Sequence, residues 1–235
     1  MIPAVRRKEY RPRIFSPDYF VVRHILAFLN RQLDRRVREG SSVLDAGCGE
    51  QPFRGRIEAR GGKYLGCDVS RNAGNTVDVV GTVMMLPFAD RSFDIVLCSE
   101  VLEHVEDPDR AFGEMLRVLK GGGYLIVTTP FLYPLHEEPD DFVRLTPHKL
   151  LFMANRYGAE TVEAVRAGNE VEVLATAWDN LWNRERGSGV LRRATGAVMR
   201  SAGNGLAMLA GLLFGRALPA RSFLGSFFVF RKAPG

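Results

Sequence analysis

"VLDAGCGE", Val43 to Glu50, sets an acid and two glycines directly behind the apolar run "SVL". An apolar run that stops in Gly-x-Gly reads as a β-strand whose carboxyl end turns sharply, and glycine there lets the backbone approach a ligand with no Cβ in the way. Open α/β sheets bind ligands outside the carboxyl ends of their strands. Asp45, Ala46, Gly47, Cys48 and Gly49 are therefore the first candidate binding turn. A G-x-G-x-x-G dinucleotide turn would need a third glycine where the chain has Pro52, so the pyrophosphate reading fails. Nineteen residues after Gly49, Asp68 closes the next apolar run in "YLGCDVS". A carboxylate at that spacing suits the two hydroxyls of a ribose and points to a nucleoside ligand. The competing role for Asp68 is a helix N-cap or turn acid.

Further along, "TVDVVG", "FDIVLCSE" and "GYLIVTTP" continue the series of short apolar runs, separated by helical or turn-rich stretches. Strands alternating with helices over about a hundred residues predict βαβ units and a parallel sheet. Val22, Leu26, Leu29, Leu33 and Val37 recur at helical steps from Asp18 to Arg38, predicting an amphipathic helix ahead of the first strand. Ala111, Met115, Leu116 and Leu119 make another helical face, which the run Gly121–Gly123 is expected to end. Past Thr146-Pro147, "PHKLLFMANRYG" reads as a helix, "AETVEAVRA" as a strand and "FLGSFFVFRK" as a final strand. "NEVEVLATAWDNLW" reads as a helix with Val171, Leu174, Trp178 and Leu181 on its apolar side, and residues 188–214 are helical in tendency.

A chain of 235 residues with 46% hydrophobic composition suits one domain, 1–235, with a basic helical region at 1–40, a binding core at 41–130 and a substrate side at 131–235. Cys48, Cys67 and Cys98, spaced by 19 and 31 residues, fit neither a disulfide framework nor a zinc knuckle and read as buried thiols. With no apolar stretch behind the basic opening "MIPAVRRKEYRPR", a secretory leader is not expected and a cytoplasmic location is. The net charge of +5 is uneven: +6 over residues 1–39, +8 over 184–235 and −9 between. Basic ends of this kind suit an anionic partner or a solvated surface.

"VLDAGCGE", "LGCDVS" and "LPFADRSFDIVLCSEVLEHVEDPDRAFGEMLRVLKGGGYLIVTTP" together resemble the class I S-adenosylmethionine-dependent methyltransferases, in the branch that acts on small molecules. The resemblance runs from Val43 to about Pro130. It implies a Rossmann-like α/β fold: a seven-stranded, mostly parallel sheet with an antiparallel last strand, helices on both faces, an N-terminal helix and an inserted helical lid. It also implies a cofactor site. Asp45, Gly47 and Gly49 would turn beneath the methionine half, Asp68 would hold the ribose, and Val69, Val83 and Met84 would pack about the adenine. Ser99 and Glu100 would face the sulfonium end. Thr82 stands where the family usually has an acid, and Gly121 where it usually has proline.

"PFLYPLHEEPDDFVRLTP" follows the fifth strand and resembles the matching loop of methyltransferases associated with polysaccharide and glycoconjugate biosynthesis. Tyr133, Glu137, Asp140, Asp141 and Arg144 are its candidate substrate residues, although Asp141 and Arg144 also suit a structural ion pair. His136 is the candidate general base, because an imidazole needs little tuning to titrate near neutrality. His104 in "EVLEHV" is the second candidate, with a helix-opening role as its alternative. The acids could hold Mg²⁺, but no spacing requires it and no metal is expected.

The reaction expected is O-methylation of a sugar, glycolipid or related small molecule, with N- or C-methylation or non-catalytic cofactor binding as alternatives. Neither G-x-S-x-G nor H-E-x-x-H occurs, which sets hydrolase and metallopeptidase chemistry aside. "CSEVLEH" stands where a nucleic-acid methyltransferase would carry an Asn/Asp-Pro-Pro-Tyr-like motif, so no nucleic-acid partner is expected. "GLAMLAGLLFG", between Arg200, Arg216 and Arg221, is too short to span a bilayer and suits a packed lid or peripheral contact with a membrane. The sequence leaves the oligomeric state open.

Overall fold

A computed structural model describes residues 10–182, 190–214 and 221–234, with backbone alone at 190–193 and 214. The chain runs α1 (Tyr19–Arg36), β1 (Ser42–Ala46), α2 (Arg54–Glu58), β2 (Lys63–Asp68), β3 (Val79–Val80), β4 (Phe93–Ser99), α3 (Pro108–Val118), β5 (Leu119–Pro130), α4 (Pro147–Arg156), β6 (Ala159–Ala167), α5 (Glu170–Leu181), α6 (Val190–Phe214) and β7 (Gly225–Lys232). These strands form one seven-stranded sheet in the order β3-β2-β1-β4-β5-β7-β6. β1 to β5 pair in parallel, and β7 runs antiparallel to both β5 and β6. This is the predicted Rossmann-like architecture.

Alternation along the strands builds two apolar layers, because successive side chains point to opposite faces. Leu44, Val96, Cys98, Phe228 and Phe230 pack with α3 and α4 through Phe112, Met115, Leu150 and Met153. Val43, Ile95, Leu97, Phe227 and Val229 pack with α1 and α2 through Ile25, Phe28, Leu29, Leu33 and Ile57. The cysteines are free and buried, as expected. Sequence signals set several helix starts: the Asp107 side chain accepts from the Arg110 amide, Thr146 from Lys149, and Asn169 from Val171 and Glu172.

Three details depart from the sequence reading. α3 ends at Val118, before the glycines, and Gly121–Gly123 lie inside β5. There the register jumps from Phe93 opposite Leu119 to Ile95 opposite Tyr124, so the glycines take up a bulge instead of capping a helix. Second, α5 buries Ala175, Thr176 and Asp179; of the predicted face, Val171 packs on the core and Trp178 on α6, while Leu174 and Leu181 are 71% and 62% exposed. α6 presents glycine where it meets α5: Trp178 sits over Gly203, whose Cβ, if present, would be 2.7 Å from the indole. Third, no described residue of α5 or α6 lines the central cavity. The inserted helices pack beside α1, where Phe20 meets Ala175 and Ala207, and Arg200 Nε donates to the Phe15 carbonyl. Gly215 and Arg216 lie outside the described residues.

Candidate active site

The chain order reverses between β1 and β4, the switch point at which open sheets bind ligands. Beyond the carboxyl ends of these strands lies a cavity of about 660 Å³, within the roughly 300–1,000 Å³ of ordinary small-molecule sites. Its floor is the glycine turn. The Gly47 and Cys48 amides both donate to the Cys67 carbonyl, at 2.8 and 3.1 Å, and so tie the turn to β2. Gly47 has φ +79°, and a Cβ there would lie 2.4 Å from Val101 Cγ2. A Cβ on Gly49, at φ +50°, would meet nothing within 4 Å. The turn therefore closes tightly on one side and leaves room for a ligand on the other.

Asp68 accepts the Gly49 amide at 2.8 Å through Oδ2 and the Ser70 amide at 3.4 Å through Oδ1. A carboxylate has about four acceptor sites, so these bonds leave capacity for a diol. Val69 beside it is 66% exposed on the cavity wall, and Val83 and Met84 face the cavity from another strand end. Thr82 Oγ1 accepts the Met84 amide at 3.3 Å and shapes that wall. Together, the open glycine, the acceptor carboxylate and the apolar wall fit an amino-acid-linked nucleoside of the S-adenosylmethionine kind.

Asp45 lies deepest, 2% exposed, and accepts the Tyr64 hydroxyl at 2.7 Å. Burial pushes its carboxyl up to about 7 from 3.8, partly offset by the Tyr64 bond, and Asp68 adds to the rise. Between those two values the folded chain holds a proton that the unfolded chain has lost, so stability falls as pH rises across the window and levels off above it. Asp45→Asn keeps an acceptor for Tyr64 and removes the titration. In the ligand-free protein, denaturation from pH 4 to 8 should show the variant gaining on wild type by about 2–4 kcal/mol, with the gain complete near neutrality. A constant difference between the two across that range would refute the assignment.

At the far end of the cavity stand two imidazoles. His104 closes the 3₁₀ turn Leu102–His104, and its Nδ1 is 2.6 Å from the Asp140 carbonyl. The helix that follows is capped by Asp107, so His104 does not open it. His136 packs edge-on to His104 at 4.8 Å and to Tyr133 at 5.4 Å between centroids. Burial, and then His104, hold the His136 imidazole below its ordinary range, against a raising effect of Asp141. Ser99 bonds Thr128 side chain to side chain at 2.8 Å. Glu100 and Glu137 line the cavity with left-handed φ of 55° and 56°, a conformation that costs a non-glycine residue about 1–2 kcal/mol.

Of the predicted residues, Asp45, Gly47, Cys48, Gly49, Asp68, Val69, Thr82, Val83, Met84, Ser99, Glu100, His104, Tyr133, His136, Glu137 and Asp140 all line this cavity. Ala46 is buried in the sheet beneath the turn. Asp141 and Arg144 are not cavity residues. They form a bidentate ion pair, and Asp141 also accepts the His136 backbone amide at 2.9 Å, which braces the loop. Sequence reading missed Tyr10, Val21, Val22 and Ile25, which wall the cavity from the N-terminal side. The helical spacing marked Val22 as inward, but nothing local said that the inward face looked onto a ligand site.

Residues 44–127 match the family described as "Methyltransferase domain". An uncharacterized methyltransferase of Mycobacterium sp. (strain KMS) is 39% identical over 97 residues, 38% of each chain. Demethylmenaquinone methyltransferase of Thermobifida fusca (strain YX) is 37% identical over 102 residues, covering 37% of this chain and 43% of that one. The match thus spans about two fifths of these relatives' length. Among solved structures, Haemonchus contortus phosphoethanolamine N-methyltransferase 2 in complex with S-adenosyl-L-methionine superposes with a TM-score of 0.57 at 19% identity, covering 94% of this chain and 56% of that one. The glycine turn, the Asp68 strand end and most of the β4–β5 unit thus fall within the residues, 44–127, that match this family, in a sheet of the fold shared with that solved structure.

Proposed function

We propose that the protein transfers a methyl group from S-adenosylmethionine to a hydroxyl of a sugar, glycolipid or related small molecule. The observation that carries the reading is one cavity lined by the glycine turn at Gly47–Gly49, by Asp68 and by a pair of imidazoles, His104 and His136. When bound, the cofactor supplies a methyl group on a sulfonium, which an acceptor oxygen displaces in line as its proton leaves and a neutral thioether departs. Asp45 and the turn amides hold the amino-acid half, Asp68 the ribose, and Val69, Val83 and Met84 the adenine. Tyr133, Glu137 and Asp140 line the acceptor end, and His136, held neutral by its surroundings, takes the hydroxyl proton. Alignment of acceptor and methyl group supplies much of the rate.

The test is calorimetric titration with S-adenosylhomocysteine, followed by transfer of labelled methyl to sugar and lipid acceptors. Failure of the folded protein to bind the nucleoside would end the reading. Transfer only to amines or ring carbons would replace the acceptor class, and binding with no transfer to any acceptor would leave a cofactor-binding protein.

No described helix is long and apolar enough to cross a membrane. Even so, α6 holds Val198, Leu206, Leu209, Leu212 and Leu213 exposed, Leu212 by 83%, within a C-terminal region of charge +8. An exposed apolar helix face in a stretch of sequence with an excess of basic residues suits the surface of an anionic bilayer. The protein should sediment with phosphatidylcholine vesicles containing phosphatidylglycerol and be released by salt, and Leu209→Asp with Leu212→Asp should abolish sedimentation. Equal recovery in the supernatant with and without vesicles would refute membrane contact.

A further inference from the structure

We propose that Glu103, His104 and His136 form a binding site for one divalent transition-metal ion at the acceptor end of the cavity. One ligand atom from each lies within 4.8 Å of the other two. Small side-chain rotations would close that triangle to the roughly 2.0–2.2 Å bonds such ions make with imidazole and carboxylate. Both imidazoles are already oriented for it. His104 Nδ1 points at the Asp140 carbonyl, 2.6 Å away, so the hydrogen-bond network assigns the proton to Nδ1. The lone pair is then on Nε2, 3.8 Å from Glu103 Oε1. His136 Nδ1 lies 3.3 Å from both the Pro134 carbonyl and Asp141 Oδ2, which makes its Nε2 the ligating atom by the same logic. Carbonyl or carboxylate partners on the far nitrogen are how proteins orient metal-binding histidines.

Glu103 supplies an independent observation. Its side chain is fully buried, and neither carboxyl oxygen has a hydrogen-bond partner, although its backbone carbonyl accepts from Phe142 and Val143. Buried polar groups are almost always satisfied. An anion buried this way without a strong partner is costly. A cation between Glu103 and the two imidazoles satisfies it.

Two nitrogens and one oxygen select ions such as Zn²⁺, Co²⁺, Ni²⁺ or Mn²⁺ over Mg²⁺ and Ca²⁺, which take oxygen ligands. Three protein ligands leave coordination positions open; His104 and His136 line the cavity, with Glu137 and Asp140, while Glu103 itself is buried. The use of the ion rests on the methyl-transfer reading. A hydroxyl bound at an open position releases its proton to water more readily and keeps the lone pair that attacks the methyl carbon. With the ion bound, His136 is its ligand and the hydroxyl proton passes to water; direct proton transfer to His136 is then the metal-free alternative.

The test uses Co²⁺ alone, with no cofactor or acceptor, followed by equilibrium dialysis and the visible absorption of the bound ion. Wild type should bind one Co²⁺ per chain, and His136→Ala and Glu103→Gln should each weaken binding by about tenfold or more. His136 lies on a loop braced through its backbone amide, so its alanine variant keeps the fold even if Glu103→Gln does not. No bound Co²⁺, or equal binding by wild type and His136→Ala, would overturn the site. S-adenosylhomocysteine calorimetry on the same samples separates the two proposals: Co²⁺ bound without nucleoside binding upholds the metal site and removes the methyl-transfer reading.

Discussion

Asp68→Ala should weaken S-adenosylhomocysteine binding by about a hundredfold, roughly 3 kcal/mol, the scale of the charge-assisted hydrogen bonds lost to a ribose diol. Asp68 is 9% exposed, and its carboxylate also holds the Gly49 amide at 2.8 Å. Alanine thus removes the ribose acceptor and loosens the turn beneath the amino-acid half in one change. Asp68→Asn separates the two effects. Its amide oxygen can still take the Gly49 amide, while charge and one acceptor are gone, so its loss should fall between wild type and Asp68→Ala. Calorimetry with circular dichroism as a check on folding measures all three. Unchanged affinity in a folded Asp68→Ala would mean that the ribose is held elsewhere, and the cradle would need to be redrawn.

The second large effect is on turnover. With a hydroxyl acceptor, His136→Ala should lower kcat by about 10²–10⁴-fold, the scale of assisted proton removal, whether the imidazole takes the proton itself or holds an ion that promotes its loss. Nucleoside affinity should stay within about twofold, because the ring sits at the acceptor end and touches none of the cradle. The substitution is clean. The loop is held by the His136 backbone amide on Asp141 and by the Asp141–Arg144 pair, neither of which needs the imidazole. A fully active variant would point to an acceptor that arrives already unprotonated, such as a neutral amine, and would overturn O-methylation.

The order of these residues along the chain explains why so much of the cradle was legible. Asp45 to Gly49 and Asp68 each sit at the end of a single strand, where an apolar run, a glycine and an acid mark the place within a few neighbouring residues. Parallel pairing then brings the strand ends to one edge with no further information needed. Strand faces were readable for the same reason, since alternation is fixed by the backbone.

What the sequence by itself determined is therefore the strand series, the glycine turn and the acid that ends β2, because each is encoded by local geometry with a fixed period. Tertiary structure decided the rest. On α5, the larger apolar residues looked like the core face, yet Ala175, Thr176 and Asp179 are buried and Leu174 and Leu181 exposed, because where α1 and α6 meet the helix decides which side is covered. The glycines at 121–123 looked like a helix stop until β4 was seen to demand a bulge opposite Phe93 and Ile95. Glu103 and His104 lie about thirty residues from His136. The loop after β5 folds back over the switch point, bringing the two candidate histidines and Glu103, which the sequence had not singled out, within 4.8 Å of one another. Such convergence depends on which surfaces meet, and no period within one element of the chain carries that information.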